Sequence, residues 1–300
     1  MTNKSTVKYG EERKKYMHFI IITFVSFFFF LSSLAANERP ERVASLNLCT
    51  DQLVLELLDR DRIVSVTYLA TDPVISYLAD RAKGLPKNHG LAEEILPLKP
   101  DLILAGAFTS RPTTSLLKRL GYRVVVFDMA LSFDTLRLNI IKAGVVLREE
   151  KKAAQLVNTF NQHVERIHPI SGIPLSVIVL QPRAAGVGQL SLLGDILRTV
   201  GFTSFSVTDE TMGVGWVTLD RIIEAQPELI ISEPDPPWPS LGHLAMRHPA
   251  YEAVRDKQGR VPTRINLPAN LWNCGGPQVA KAVSILAKAR ATALDQREIK

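Results

Sequence analysis

The sequence predicts an α/β protein built as two similar lobes joined by a helical connector, with a cleft between the lobes. Three observations carry this: an internal repeat, short apolar strands alternating with helices on both sides of the chain's middle, and a long helical stretch separating the two series. In the repeat, residues 93–104 read Glu-Glu-Ile-Leu-Pro-Leu-Lys-Pro-Asp-Leu-Ile-Leu and residues 220–231 read Asp-Arg-Ile-Ile-Glu-Ala-Gln-Pro-Glu-Leu-Ile-Ile. Aligning Glu93 with Asp220 gives an offset of 127 (220 − 93), and the same offset pairs Pro100 with Pro227 and Asp101 with Glu228. Each copy starts a helix with an acidic residue, breaks at proline and enters a short buried strand. So long an offset exceeds the roughly 20–50 residues of solenoid units and points to two lobes.

In the first series, Val43 to Leu46 predicts a strand, and Asn47 or Thr50 caps a helix from about Asp51 to Leu58. Strands follow at Ile63 to Val66, Ile103 to Ala105 and Val124 to Phe127, with a helix from Thr113 to Leu120 ending at Gly121. Alternation of this kind argues for mostly parallel sheets. From about Ser132 to Ile167 there is no proline and only one glycine, Gly144. This is the connector, with Leu136, Ile140, Ile141 and Ala143 on one face and Ala153, Leu156, Val157 and Phe160 on another. After Pro169 the second series runs through a strand at Leu175 to Leu180, a helix at Leu192 to Val200, the helix from Asp220, strands at Leu229 to Ser232 and Arg264 to Asn266, and a closing helix from Pro277. The expected organisation is 1–36 export signal, 37–131 N-terminal lobe, 132–168 connector and 169–300 C-terminal lobe.

The signal is read from Lys4, Lys8, Arg13, Lys14 and Lys15 ahead of an apolar run from Phe19 to Leu34 that ends in small residues. That run falls short of the roughly 20 residues needed to span a bilayer, which favours cleavage over an anchor and a chain free in the periplasm. The signal holds five of the 36 Lys and Arg and two of the 30 Asp and Glu, so the net charge of +6 falls to +3 (31 − 28) without it. No basic tail or block remains to bind nucleic acid. Two cysteines, Cys49 and Cys274, stay in the mature chain. Sequence leaves three states open for them: a disulfide, two free thiols, or two ligand contacts.

No Gly-x-Ser-x-Gly elbow, His-Glu-x-x-His, Walker loop or Gly-x-Gly-x-x-Gly occurs, and the six histidines have no zinc-site spacing. No catalytic residue and no metal site is assigned. Aromatic and basic residues instead gather near strand ends, where open α/β sheets hold ligands. Phe108 and Arg111 follow one strand and Arg183 another; Trp216 precedes the second acidic helix and Trp272 precedes Cys274. All three tryptophans read as loop residues, which favours a lined cleft over core packing. The arginines suit an anionic ligand.

Taken in order, Arg42-Val43-Ala44-Ser45-Leu46, Leu98-Lys99-Pro100-Asp101-Leu102-Ile103, Leu120-Gly121, the uninterrupted connector and Ala225-Gln226-Pro227-Glu228-Leu229-Ile230 resemble the periplasmic binding proteins of iron-siderophore, haem and cobalamin ABC importers. The resemblance covers nearly all of residues 42–290. It implies two Rossmann-like α/β lobes bridged by a single long helix, with the ligand cleft between them. It also implies a monomer that delivers its cargo to an ABC permease dimer in the inner membrane, with no cofactor beyond that iron chelate, haem or cobalamin. The implied cleft residues are Asn47, Cys49, Thr50, Tyr68, Phe108, Arg111, Arg183, Trp216, Trp272 and Cys274, and the implied permease-docking carboxylates are Glu93 and Asp220. Glu94 beside Glu93 leaves the first docking position ambiguous by one residue. The rival readings are a secreted α/β enzyme using Cys49 as nucleophile, and a ligand sensor uncoupled from transport.

Overall fold

In the computed structural model, residues 39–298 are described apart from 168–173, 183–184, 205–213, 217, 239, 245 and 247. The export signal expected over residues 1–36 falls outside the described residues. Among them, no helix is long and apolar enough to cross a membrane.

The N-terminal lobe is a parallel sheet in the order β3-β2-β1-β4-β5, formed by β1 (Val43–Ser45), β2 (Ile63–Thr67), β3 (Lys87–Asn88), β4 (Leu102–Gly106) and β5 (Val124–Phe127). Its helices are α1 (Leu48–Leu57), α2 (Ala79–Ala82), α3 (Ala92–Ile95) and α4 (Arg111–Arg119). In the C-terminal lobe β6 (Leu175–Leu180), β8 (Phe202–Ser204), β10 (Leu229–Ser232) and β11 (Thr263–Asn266) form a second parallel sheet ordered β11-β10-β6-β8. Read from the other edge, this is β8-β6-β10-β11, the same winding as β2-β1-β4-β5. The two-lobe α/β architecture is therefore as the sequence predicts. An antiparallel pair, β7 (Ala185–Val187) with β9 (Val214–Trp216), is an addition the sequence reading did not contain.

The repeat has a backbone cause. Lys99 and Gln226, again 127 apart (226 − 99), both end their helical turns in the left-handed conformation with φ 45° and ψ 56°. That reversal sends the following Pro-Asp or Pro-Glu back to the sheet. There the Asp101 carboxylate accepts from the backbone N–H of Glu41 (2.7 Å) and Arg42 (3.0 Å), at the start of β1. The Glu228 carboxylate accepts from Ser176 N–H (2.9 Å) in the first strand of the other lobe. Each acidic residue thus clasps its lobe's first strand onto the strand it opens, through charge-assisted bonds.

Sequence alternation sorts the strands onto two faces, as expected for sheets covered on both sides. Val43, Leu102 and Leu104 of the first lobe and Val177, Val179, Leu229 and Ile231 of the second belong to one continuous core. Ala44 and Ile103 face an outer cluster with Ile95 and Leu117, while Ile178, Leu180 and Ile230 face another with Ile222.

The single connector helix is corrected to two: α5 (Phe133–Leu147) and α6 (Glu150–Glu165). Arg148 turns left-handed (φ 59°) and reverses the chain, and Gly144 lets the helices touch, since a Cβ there would lie 2.4 Å from that of Ala153. The first of them does the bridging. At one end Asp195 of α7 (Leu192–Val200) accepts from Phe133 N–H at 2.7 Å, and at the other Arg62 of the N-terminal lobe donates to Leu147 O at 2.9 Å. Fifteen residues at about 1.5 Å each span roughly 22 Å between these anchors. The second lobe is completed by α8 (Leu219–Ala225), α9 (Leu241–Leu244) and α10 (Val279–Glu298). Each lobe is one unbroken stretch of chain.

Candidate ligand cleft

Strand β1 delivers Asn47 to the sheet's carboxyl edge, where its Oδ1 caps α1 by accepting from Cys49 N–H at 2.9 Å. Next to it β4 ends at Gly106, whose absent side chain is the reason Asn47 fits: a Cβ would lie 2.5 Å from Asn47 Cγ. These two strand ends, with that of β5, floor a cavity of about 180 Å³. Its wall includes Asn47, Cys49, Thr50 and Phe108, four of the residues expected there. Leu53, Ala107, Phe127, Asp128, Met129, Ala130 and Asn139 complete the N-terminal side, and Asn273 and Gly275 come from the other lobe. Among the described wall residues Asp128 carries the only formal charge.

The other expected residues are placed differently. Tyr68 stands outside this cavity and stacks on His89 with ring centroids 4.9 Å apart. Arg111 opens α4 on the exposed surface and is absent from the wall. Trp272 packs against the core, its indole Nε1 buried without a partner, and Trp216 is in β9 and not in a loop. Arg183 lies outside the described residues. Cys49 and Cys274 are joined by a disulfide, with Cα atoms 5.0 Å apart, which settles the three open states and removes the thiol that a Cys49 nucleophile requires.

Sequence reasoning missed the wall of Asp128, Met129 and Asn139 because it assigned the end of β5 and the start of α5 to lobe boundary and connector. The strand-end rule, applied to β5 as it was to β1 and β4, was the signal that finds them. The side chain of Asn139 is fixed by donating to Asp128 O at 2.8 Å.

Under the floor lies a buried polar network. Thr50 Oγ1 sits 2.7 Å from Ser45 Oγ, and Asn88 Nδ2 donates to Ser45 O (2.9 Å) and Ser65 Oγ (2.7 Å). Asp51, fully buried, accepts from Thr67 N–H (3.1 Å) and Thr67 Oγ1 (2.5 Å). Burial pushes its carboxyl up to about 7 against the pull of the hydroxyls of Ser45 and Thr67. The folded protein then keeps a proton that the unfolded chain releases near pH 4, so stability falls as pH rises from about 4 to 7 and is level above that. Asp51→Asn should remove about 2–3 kcal/mol of that decline between pH 5 and 7.5. Urea unfolding of both proteins at the two pH values measures it, and parallel pH profiles would refute the assignment.

The two positions expected to dock a permease each lie in the first turn of a helix, Glu93 in α3 and Asp220 in α8. Glu94 folds back on its own turn, its Oε2 accepting from His89 N–H at 2.6 Å and its Oε1 2.8 Å from His89 Nδ1, while Glu93 points to solvent. Asp220 is exposed in the first turn of α8, its carboxyl held below the usual range by the Thr218 hydroxyl.

Compared with known proteins, residues 43–235 match the model of a family described as periplasmic binding protein. The chain belongs to that family. Its periplasmic-binding-protein fold is shared with the haem-binding protein RhuT of Roseiflexus sp. RS-1 in its apo form, at TM-score 0.69 and 19% identity, covering 84% of this chain and 98% of that one. A cobalamin-binding protein of Halobacterium salinarum is 33% identical over 104 residues, 34% of this chain; the match spans 28% of that relative's own length. The uncharacterised ABC transporter substrate-binding lipoprotein YvrC of Bacillus subtilis is 24% identical over 209 residues, 65% of this chain and 64% of the relative.

Proposed function

We propose that this periplasmic binding protein is the exported, monomeric solute receptor of an ABC importer, and that its cargo is a corrinoid passed unchanged to a permease dimer. The observation that carries the cargo choice is the charge of the cavity wall. Asn47, Asn139 and Asn273 offer amide donors and acceptors, and no described wall residue is cationic. A corrinoid bears neutral carboxamides that pair with such amides. Anionic ferric siderophores call for arginine or lysine, and haem calls for an axial His, Tyr, Cys thiolate or Met beside partners for its two carboxylates. Of the axial ligands the wall supplies only the thioether of Met129, and it brings no described cation to the carboxylates. At about 180 Å³ the cavity is below the roughly 300–1,000 Å³ of sites that enclose a drug-sized ligand, so it takes an edge of the cargo, with the body in the open cleft. The partial match to a cobalamin-binding relative supports the same reading.

Titration of the purified protein with cyanocobalamin, haemin and a panel of ferric siderophores, followed by tryptophan fluorescence and the ligand's visible spectrum, tests it. Saturable binding of cyanocobalamin at micromolar concentration or below is expected, and preference for haemin or a siderophore would overturn the cargo. Glu93 and Asp220 serve as docking carboxylates on this reading, one per lobe, where two-fold-related permease subunits can each receive one. Glu93→Arg with Asp220→Arg should cut uptake by cells at least tenfold and leave solution affinity within twofold. Uptake at the normal rate would remove these residues from docking and leave a sensor as the better reading.

A further inference from the structure

One segment of the C-terminal lobe leaves its own lobe and lies against the other. In residues 267–278, which link β11 to α10, Asn270 Nδ2 donates to Pro73 O at 2.8 Å and Cys274 is bonded to Cys49. Gly275 abuts the root of α5 so closely that a Cβ would lie 2.4 Å from that of Ala130. Just beyond, the Lys281 ammonium sits 4.9 Å from the Tyr77 ring. This strap supplies Asn273 and Gly275, the second lobe's share of the described cavity wall.

We propose that Cys49 and Cys274 are positioning residues for cargo: their bond holds the strap against the N-terminal lobe, keeps Asn273 on the cavity wall, and makes cargo release sensitive to reduction by a dithiol. This rests on the binding reading above. A loop already fixed in its bound position loses less freedom when cargo arrives, so the oxidised protein holds cargo longer. Cys49 is half-buried and Cys274 is buried, so a dithiol's thiolate attacks Cys49 Sγ and Cys274 leaves as thiolate and takes up a proton. The dithiol's second sulfur then displaces Cys49 and closes its own disulfide. Two electrons and two protons pass to the protein, leaving two thiols.

Hydrogen exchange of the cargo-free protein, oxidised, reduced with dithiothreitol, and as Cys49→Ser/Cys274→Ser, tests the hold directly. Exchange should rise at least tenfold in residues 267–276 and the first turn of α1, with β1, β4, β6 and β10 still protected. A strap that after reduction exchanges as slowly as these strands, or no faster than in the oxidised protein, would overturn the proposal. Stopped-flow release of cyanocobalamin should be at least fivefold faster from the reduced protein and from the double variant, and equal rates would likewise overturn it. Asn270→Ala, which leaves the disulfide in place, should change release less than twofold in oxidised protein; an acceleration matching that of reduction would assign the hold to the amide. Failure of every form to bind cyanocobalamin, haemin or siderophore sinks the binding reading and with it the claim on cargo, whatever the exchange pattern shows.

Discussion

Urea unfolding of the Cys49→Ser/Cys274→Ser protein should give a free energy about 3–5 kcal/mol below that of the oxidised parent, one of the two largest losses expected here. The two cysteines are 225 residues apart, and closing a loop of that length removes about 5 kcal/mol of unfolded-chain entropy in the chain model, against about 2–4 kcal/mol in typical measurements. Dithiothreitol added to the parent should reproduce the loss, because the effect acts chiefly on the unfolded chain and needs no change in native packing. A difference below 1 kcal/mol would mean that the unfolded chain stays compact enough to keep these ends together.

Phe160→Ala should cost about 3–5 kcal/mol, for a different reason. Its ring is 1% exposed and meets Phe133 edge-on, centroids 5.2 Å apart at 82°, while the Arg137 guanidinium lies 5.5 Å from its centre. Truncation leaves a cavity between the two connector helices, where the bridging helix begins. Phe160→Leu, which refills most of that volume, should recover more than half of the loss. Guanidinium denaturation of the three proteins compares them, and a Leu variant no better than Ala would place the energy in the aromatic contacts and not in volume.

Much of this fold was legible because the repeat carries backbone chemistry and not only hydrophobic pattern. A proline after a left-handed residue, followed by an acid that reaches the neighbouring strand, leaves the same letters in both lobes. The connector was harder. Helix ends are read from glycine, asparagine or proline, and here Arg148 takes the left-handed position while the nearby glycine, Gly144, serves helix contact instead. The cleft was legible in part: Asn47, Thr50 and Phe108 follow strands whose ends were recognised, whereas Asn139 reaches the cavity from a helix face that only the crossing of α5 beside β5 brings there. The pairing of Cys49 with Cys274 depends on how the strap crosses between lobes, which no spacing encodes.

That each lobe is an unbroken run of chain fixes an order of events during synthesis. Cys49 emerges from the ribosome 225 residues before Cys274, a wait of about 11–45 s at roughly 5–20 residues per second. The first lobe has all its strands by Phe127, long before the second cysteine exists. The bond therefore closes only once every strand of both lobes, down to β11 at Asn266, has been made. A chain cut short anywhere before residue 274 keeps the Cys49 thiol, so an alkylating tag there separates truncated molecules from complete ones.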